Sequence, residues 1–170
     1  MKQESENIFK TKYPKCFEYL NNEGSIPPIF TGINCGDGWY EIIDSLLMEI
    51  NSYINEKEST PRKNKKHPFS SIINLLIPPK FRIYKKEESV PHIQITEITK
   101  RFGGLNIYYK GGDNYIQGLI KLAEEMSYKT CEQCGSTTNV GTTSGIIKTI
   151  CKKCELKHSQ NLNNWKPIKH

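Results

Sequence analysis

The sequence predicts an α+β fold: a small mixed domain with two main helices, closed at its C-terminus by a cysteine-rich unit. Three observations carry this. Apolar residues recur at helical spacing from Trp39 to Ile54 and again from Ile116 to Met126. Between and around these segments lie short runs, such as Leu105 to Tyr109, bounded by glycine pairs, as strands are. Finally, Cys131 and Cys134 form one C-x2-C pair, Cys151 and Cys154 form another, and 16 residues separate them.

Taken in order, residues 1–29 read as an N-terminal arm, with Phe9, Tyr13, Phe17 and Tyr19 scattered in polar sequence and a helix as the alternative. A turn-rich connection from Gly24 to Pro28 leads to the α+β domain, assigned to residues 30–129. Its first helix presents Trp39, Ile42, Ile43, Leu46, Leu47, Ile50, Tyr53 and Ile54 on one face, with Asp37 standing as N-cap. Residues 55–68 contain two prolines and no apolar period, which predicts a surface loop. Phe69 to Ile77 is an apolar segment, strand or short helix. Phe81 to Tyr84 alternates as a strand does. Ile93, Ile95 and Ile98 leave strand and helix both open for 92–102. Gly103-Gly104 is a turn, Leu105 to Tyr109 a strand, and Asp113 caps a second helix facing Ile116, Leu119, Ile120, Ala123 and Met126 inward. In the last unit, 130–170, Ile146 to Ile150 is the expected strand.

The cysteine spacing matches the pattern of a tetrahedral Zn²⁺ site, two thiolates from each tight turn. Gly135 suits such a turn because it lacks a Cβ. Four cysteine ligands close the coordination sphere, so one structural zinc per chain is expected, in a zinc ribbon, with no open position for substrate. His158 reads as a surface histidine, with replacing a ligand as the alternative. Disulfides are the competing reading of the cysteines, and with no signal peptide ahead of them a soluble cytoplasmic protein is expected.

Net charge is +6, mean hydropathy is −0.61, and no run approaches the length of a membrane span. The basic residues are 21 lysines and 3 arginines, and there is one alanine, Ala123. Lys, Ile and Asn share A/T-rich codons, so the basicity reflects base composition as readily as selection for a polyanion.

Two glycine turns lead into helix starts, Cys35 to Gly38 and Gly111 to Asp113, and a third pair, Gly103-Gly104, follows Arg101. Brought together, such turns form a pocket whose backbone amides receive phosphate. Gly36, Asp37, Gly38, Trp39, Lys100, Arg101, Gly103, Gly104, Tyr108 and Tyr109 are the candidate ligand-binding residues. Within that set Trp39, Tyr108 and Tyr109 stack on a base, and Lys100 and Arg101, with Lys110, neutralise phosphate. No established nucleotide-binding motif is present, and ordinary architecture explains each turn taken singly. The basic loop Arg62 to His67 and the ribbon's Lys152-Lys153 form the alternative, a nucleic-acid surface. No catalytic signature appears, so no enzyme is expected. The exception weighed is Cys35, a thiol before a helix start, with His67 or His92 as its base.

Three ordered blocks, Gly36 to Trp39, Lys100 to Tyr109, and Thr130 to Gly135, resemble a family of small bacteriophage and prophage proteins over about Phe30 to Cys154. The family usually continues the glycine-glycine-leucine stretch with Arg and Phe, where this chain has Asn106 and Ile107. The resemblance implies a phage origin and a host-cell cytoplasmic location. It implies an accessory role: sequestering a small signalling nucleotide to counter host defence, binding nucleic acid, or engaging a host protein. The expectation is a non-enzymatic protein binding a phosphate-bearing ligand.

Overall fold

The computed structural model describes residues 3–17, 30–59, 92–158 and 164–168. Among them are four α-helices: α1 (Gln3–Lys12), α2 (Tyr40–Ser59), α3 (Asn114–Ser127) and α4 (Lys152–His158). Six strands accompany them: β1 (Ile33–Asn34), β2 (Ile93–Arg101), β3 (Gly104–Gly111), β4 (Val140–Thr143), β5 (Thr149–Cys151) and β6 (Trp165–Pro167). Single 3-10 turns at Pro14–Cys16 and Asp37–Trp39 follow α1 and precede α2. The fold is therefore mixed α+β. No helix among the described residues is long and apolar enough to cross a membrane.

β1, β2 and β3 form one sheet, with β1 parallel and β3 antiparallel to β2. Ile98 pairs with Ile107, and Arg101 with Gly104 at the hairpin turn. A bulge between Ile95 and Glu97 shifts the register. The extra residue changes which side chains point inward, so Ile93, Ile95 and Ile98 are all buried despite uneven spacing. That spacing is what left strand and helix open, and the segment is a strand.

Helix α2 buries Ile42, Ile43, Leu46, Leu47, Ile50 and Ile54, the face its periodicity predicts. It runs through Ser59, into the expected loop, because Lys57 and the acidic residues near its end sit on the outer face. Helix α3 packs on α2 and β3 through Ile116, Ile120 and Ala123. Asp113 does cap α3, accepting from the Ile116 N–H at 3.0 Å. Asp37 is not at the N-cap position: Gly36 holds it, ahead of the 3-10 turn that Asp37 opens. Met126, assigned inward by its spacing, lies at the surface.

Residues 3–17 do not stand apart as an arm. Phe9, Tyr13 and Cys16 share one core with α2, α3 and the sheet. Lys12 Nζ and Tyr13 Oη both donate to Asp44 on α2, each at 2.9 Å. The turn at 24–28, the apolar segment 69–77, the expected strand 81–84 and the basic loop 62–67 with His67 lie outside the described residues.

The second sheet has the order β5-β4-β6 and is antiparallel. Its strand β5 begins at Thr149, later than expected, and the preceding Ile146 is 76% exposed. This sheet and α4 surround the cysteines.

Candidate metal centre

Cys131 and Cys134 flank a tight turn in which the Gly135 N–H donates to the Cys131 carbonyl at 3.0 Å. Gly135 takes a φ of 74°, the left-handed conformation that glycine adopts without strain. Cys151 ends β5, and Cys154 lies in the first turn of α4. Strand β4 holds the second pair in register, Val140 opposite Cys151. As a result the four Sγ atoms lie within 4.8 Å of one another, and Cys134 Sγ is 3.7 Å from Cys151 Sγ. Tetrahedral Zn–S bonds of about 2.3 Å would put sulfurs about 3.8 Å apart, so the donor set fits such an ion. Burial, together with the adjacent Cys134 and Cys151 thiols, pushes the Cys154 thiol up. A cation among the sulfurs reverses that tendency by stabilising thiolates. These four cysteines can hold a metal ion.

The first cysteine turn is also the point where the ribbon joins the domain. The Gly38 N–H donates to the Glu132 carbonyl at 3.0 Å, and the Trp39 indole N–H to the Thr130 carbonyl at 2.9 Å. A Cβ on Gly38 would fall on the Cys131 carbonyl oxygen and lie 2.7 Å from the Cys134 nitrogen. A Cβ on Gly36 would fall on the Glu132 carbonyl. Thus both glycines of this block are required by the close approach of another backbone.

The β2–β3 turn meets the ribbon from the other side. Thr149 Oγ1 donates to the Gly103 carbonyl at 2.6 Å, and a Cβ on Gly104 would enter the Tyr128 ring. Lys100 Nζ is 3.1 Å from Glu132 Oε1, a bond between β2 and the residue after Cys131. Glu132 Oε2 is buried without a hydrogen-bond partner among the described residues. Gly36 to Trp39, Lys100 to Gly104 and Thr130 to Gly135, distant in sequence, therefore form one junction.

This arrangement changes the physical meaning of the candidate ligand residues. Gly36, Gly38, Gly103 and Gly104 turn their open faces to protein, and Trp39 is fully buried. Lys100 is paired with Glu132, and Arg101 donates to the Tyr108 hydroxyl at 2.6 Å. Tyr108 is 38% exposed, and Tyr109 is half-buried against the core. The glycine turn at Gly111 to Asp113 does not join the other two. Gly104 and Gly111 lie at opposite ends of β3, about 23 Å apart at roughly 3.3 Å per residue. A single pocket lined by all three turns is not formed.

Cys35 is buried, and burial pushes its thiol up to about 11, opposite to the lowering a nucleophile at a helix start needs. Asp37 and Glu132 add to that rise. His92 is exposed and offers its carbonyl to the Gly112 N–H. Cys16 is likewise buried and pushed up to about 12.

Sequence reasoning missed Tyr128, Thr130, Glu132 and Thr149, the residues that receive the glycine turns. It also missed Lys157, whose spacing of four from Lys153 on α4 was the available signal. Cys134, Ser136, Asn139, Lys152, Lys153 and Lys157 line an open groove of about 680 Å³ beside the cysteines. Comparison with family models, with curated proteins and with solved structures returns no match.

Proposed function

We propose that the chain is a non-enzymatic, zinc-clipped binding protein whose ribbon engages the phosphate backbone of nucleic acid. One zinc ion per chain, held by Cys131, Cys134, Cys151 and Cys154, serves structure by closing the ribbon and fastening it to the domain. The observation that carries the binding reading is the sign of the ribbon's surface. Its acidic residues within 128–158 and 164–168, Glu132 and Glu155, are both buried, whereas Lys129, Lys148, Lys152, Lys153, Lys157 and Lys166 are all exposed or half-buried. Three of those lysines line the groove beside the metal centre. Lysines act as point charges towards phosphate, without the bidentate geometry that reads bases, so affinity with little sequence preference is expected. The resemblance to small phage proteins fits an accessory role in the host cytoplasm.

Titration of labelled single- and double-stranded oligonucleotides at several salt concentrations tests this. Three phosphate contacts give a slope of about −2.7 in log K against log salt on duplex DNA. Lys152→Glu with Lys153→Glu should flatten that slope and weaken binding to all sequences alike. Salt-independent binding, or a variant that binds as wild type, overturns the reading. A mononucleotide-sized mass on the purified chain in native mass spectrometry, with no oligonucleotide binding, would favour sequestration of a small nucleotide instead. The same spectrum counts zinc.

A further inference from the structure

Helix α3 carries two apolar stripes. Ile116, Ile120 and Ala123 face the core. Tyr115, Leu119, Leu122 and Met126 form a second stripe at spacings of four, three and four, in which Leu119 is half-buried against the core, Tyr115 packs on Tyr53, and Leu122 and Met126 are left exposed. Leu122 is 57% exposed, Met126 48% and Tyr115 45%. A helix resting on a single core needs one stripe, and a second implies a second partner surface. Facing it, α2 contributes Leu46 and the half-exposed Met48, and the two helices enclose an open groove of about 380 Å³. Two of the chain's three methionines, Met48 and Met126, lie on it. Unbranched and polarizable, methionine adapts to a docked apolar surface.

The charge around this groove is opposite to that of the whole chain. The groove's lining holds two carboxylates and no lysine or arginine, in a protein of net charge +6. Glu41 and Glu49 stand on the groove itself. Glu49 accepts from the Tyr115 hydroxyl at 3.1 Å, which fixes a carboxylate at the groove's edge.

We propose that the α2–α3 groove docks a basic amphipathic helix of another protein. Its apolar residues at i, i+3 or i+4, and i+7 would enter between Leu46 and Leu119, as helix-in-groove recognition requires. Its flanking Lys or Arg side chains would face Glu41 and Glu49. A second copy docking through the same face would oppose these glutamates to their own equivalents, an arrangement that like-charge repulsion disfavours.

The test titrates the full chain into a labelled Leu/Lys peptide of about 18 residues, five turns at 3.6 residues per turn, with its leucines on one face. Binding at about 0.15 M salt is expected, with a shuffled peptide of the same composition failing to bind. Leu122→Ser with Met126→Ser should weaken it at least about tenfold, while the melting curve stays close to wild type because both side chains are half-exposed. Glu41→Gln should weaken it less and reduce its salt dependence. Equal binding of the shuffled peptide, or a serine variant that binds as wild type, overturns the proposal. A dimer in sedimentation that the serine variant dissolves gives the groove to a second copy and also overturns it. So does protection of Met48 and Met126 from peroxide in the isolated monomer, which means that the chain's own residues cover the groove.

Discussion

The Trp39 indole donates to the Thr130 carbonyl across 91 residues of sequence, at 2.9 Å and in a fully buried position. Trp39 leads into α2 and Thr130 precedes Cys131, so one hydrogen bond ties the core of the domain to the ribbon. Trp39→Phe keeps most of the apolar volume and removes the donor. It leaves a buried carbonyl unpaired and should destabilise the folded chain by about 1–3 kcal/mol. Denaturant titration in excess zinc should show a lower midpoint with an unchanged slope.

Gly38→Ala should act on the metal. The added methyl meets the backbone of Cys131 and Cys134, neither of which can move without shifting a ligand. Zinc affinity, measured by chelator competition, should fall at least about tenfold, as when a supporting contact of a metal ligand is lost. Gly118 provides the contrast, because its Cβ direction is empty and it lies inside α3. Gly118→Ala should leave zinc affinity unchanged and add about 0.5–1 kcal/mol of stability.

Removal of zinc should be visible in tryptophan fluorescence. Both tryptophans donate to ribbon carbonyls, Trp39 to Thr130 and Trp165 to Ile150. A chelator should shift the emission to the red as the ribbon loosens, and Trp165→Phe isolates the Trp39 contribution. A Trp39 signal that chelation leaves unchanged would mean that the junction persists without metal.

The helices and cysteine pairs were legible because each depends on local spacing: Ile42 to Ile54 on a 3.6-residue period, the cysteines on their two-residue gaps. The role of the glycines was not. A glycine that admits a phosphate and one that admits a carbonyl read identically, and the carbonyl over Gly36 and Gly38 comes from residues more than ninety positions further on. The ribbon strand was misplaced for a related reason. Thr149 is fully buried because its hydroxyl reaches Gly103, while Ile146 and Ile147, with higher strand propensity, stay at the surface. The bulge after Ile95 broke the alternation by which β2 would have been recognised.

Asp113 supplies a pH-dependent part of the stability. Burial alone would raise its pKa. The Ile116 N–H and the Tyr53 hydroxyl, with the Tyr115 N–H and the Lys57 charge, outweigh burial and hold the carboxyl below its ordinary value. A carboxyl depressed in the folded state stabilises the fold above its unfolded pKa of about 3.9, and that contribution is lost as pH falls through the folded value. Asp113→Asn keeps a capping oxygen and removes the charge. The stability difference between wild type and Asp113→Asn should therefore hold from neutral pH down to about 5 and shrink below about 4, where thiolate protonation affects both proteins alike. Asp113→Ala also loses the cap, and should cost about 1 kcal/mol even where the carboxyl is protonated. Urea titrations of the three proteins at pH 7 and below pH 4 separate the two effects. A difference between wild type and Asp113→Asn that grows as pH falls would show that the carboxyl is not stabilised by its partners.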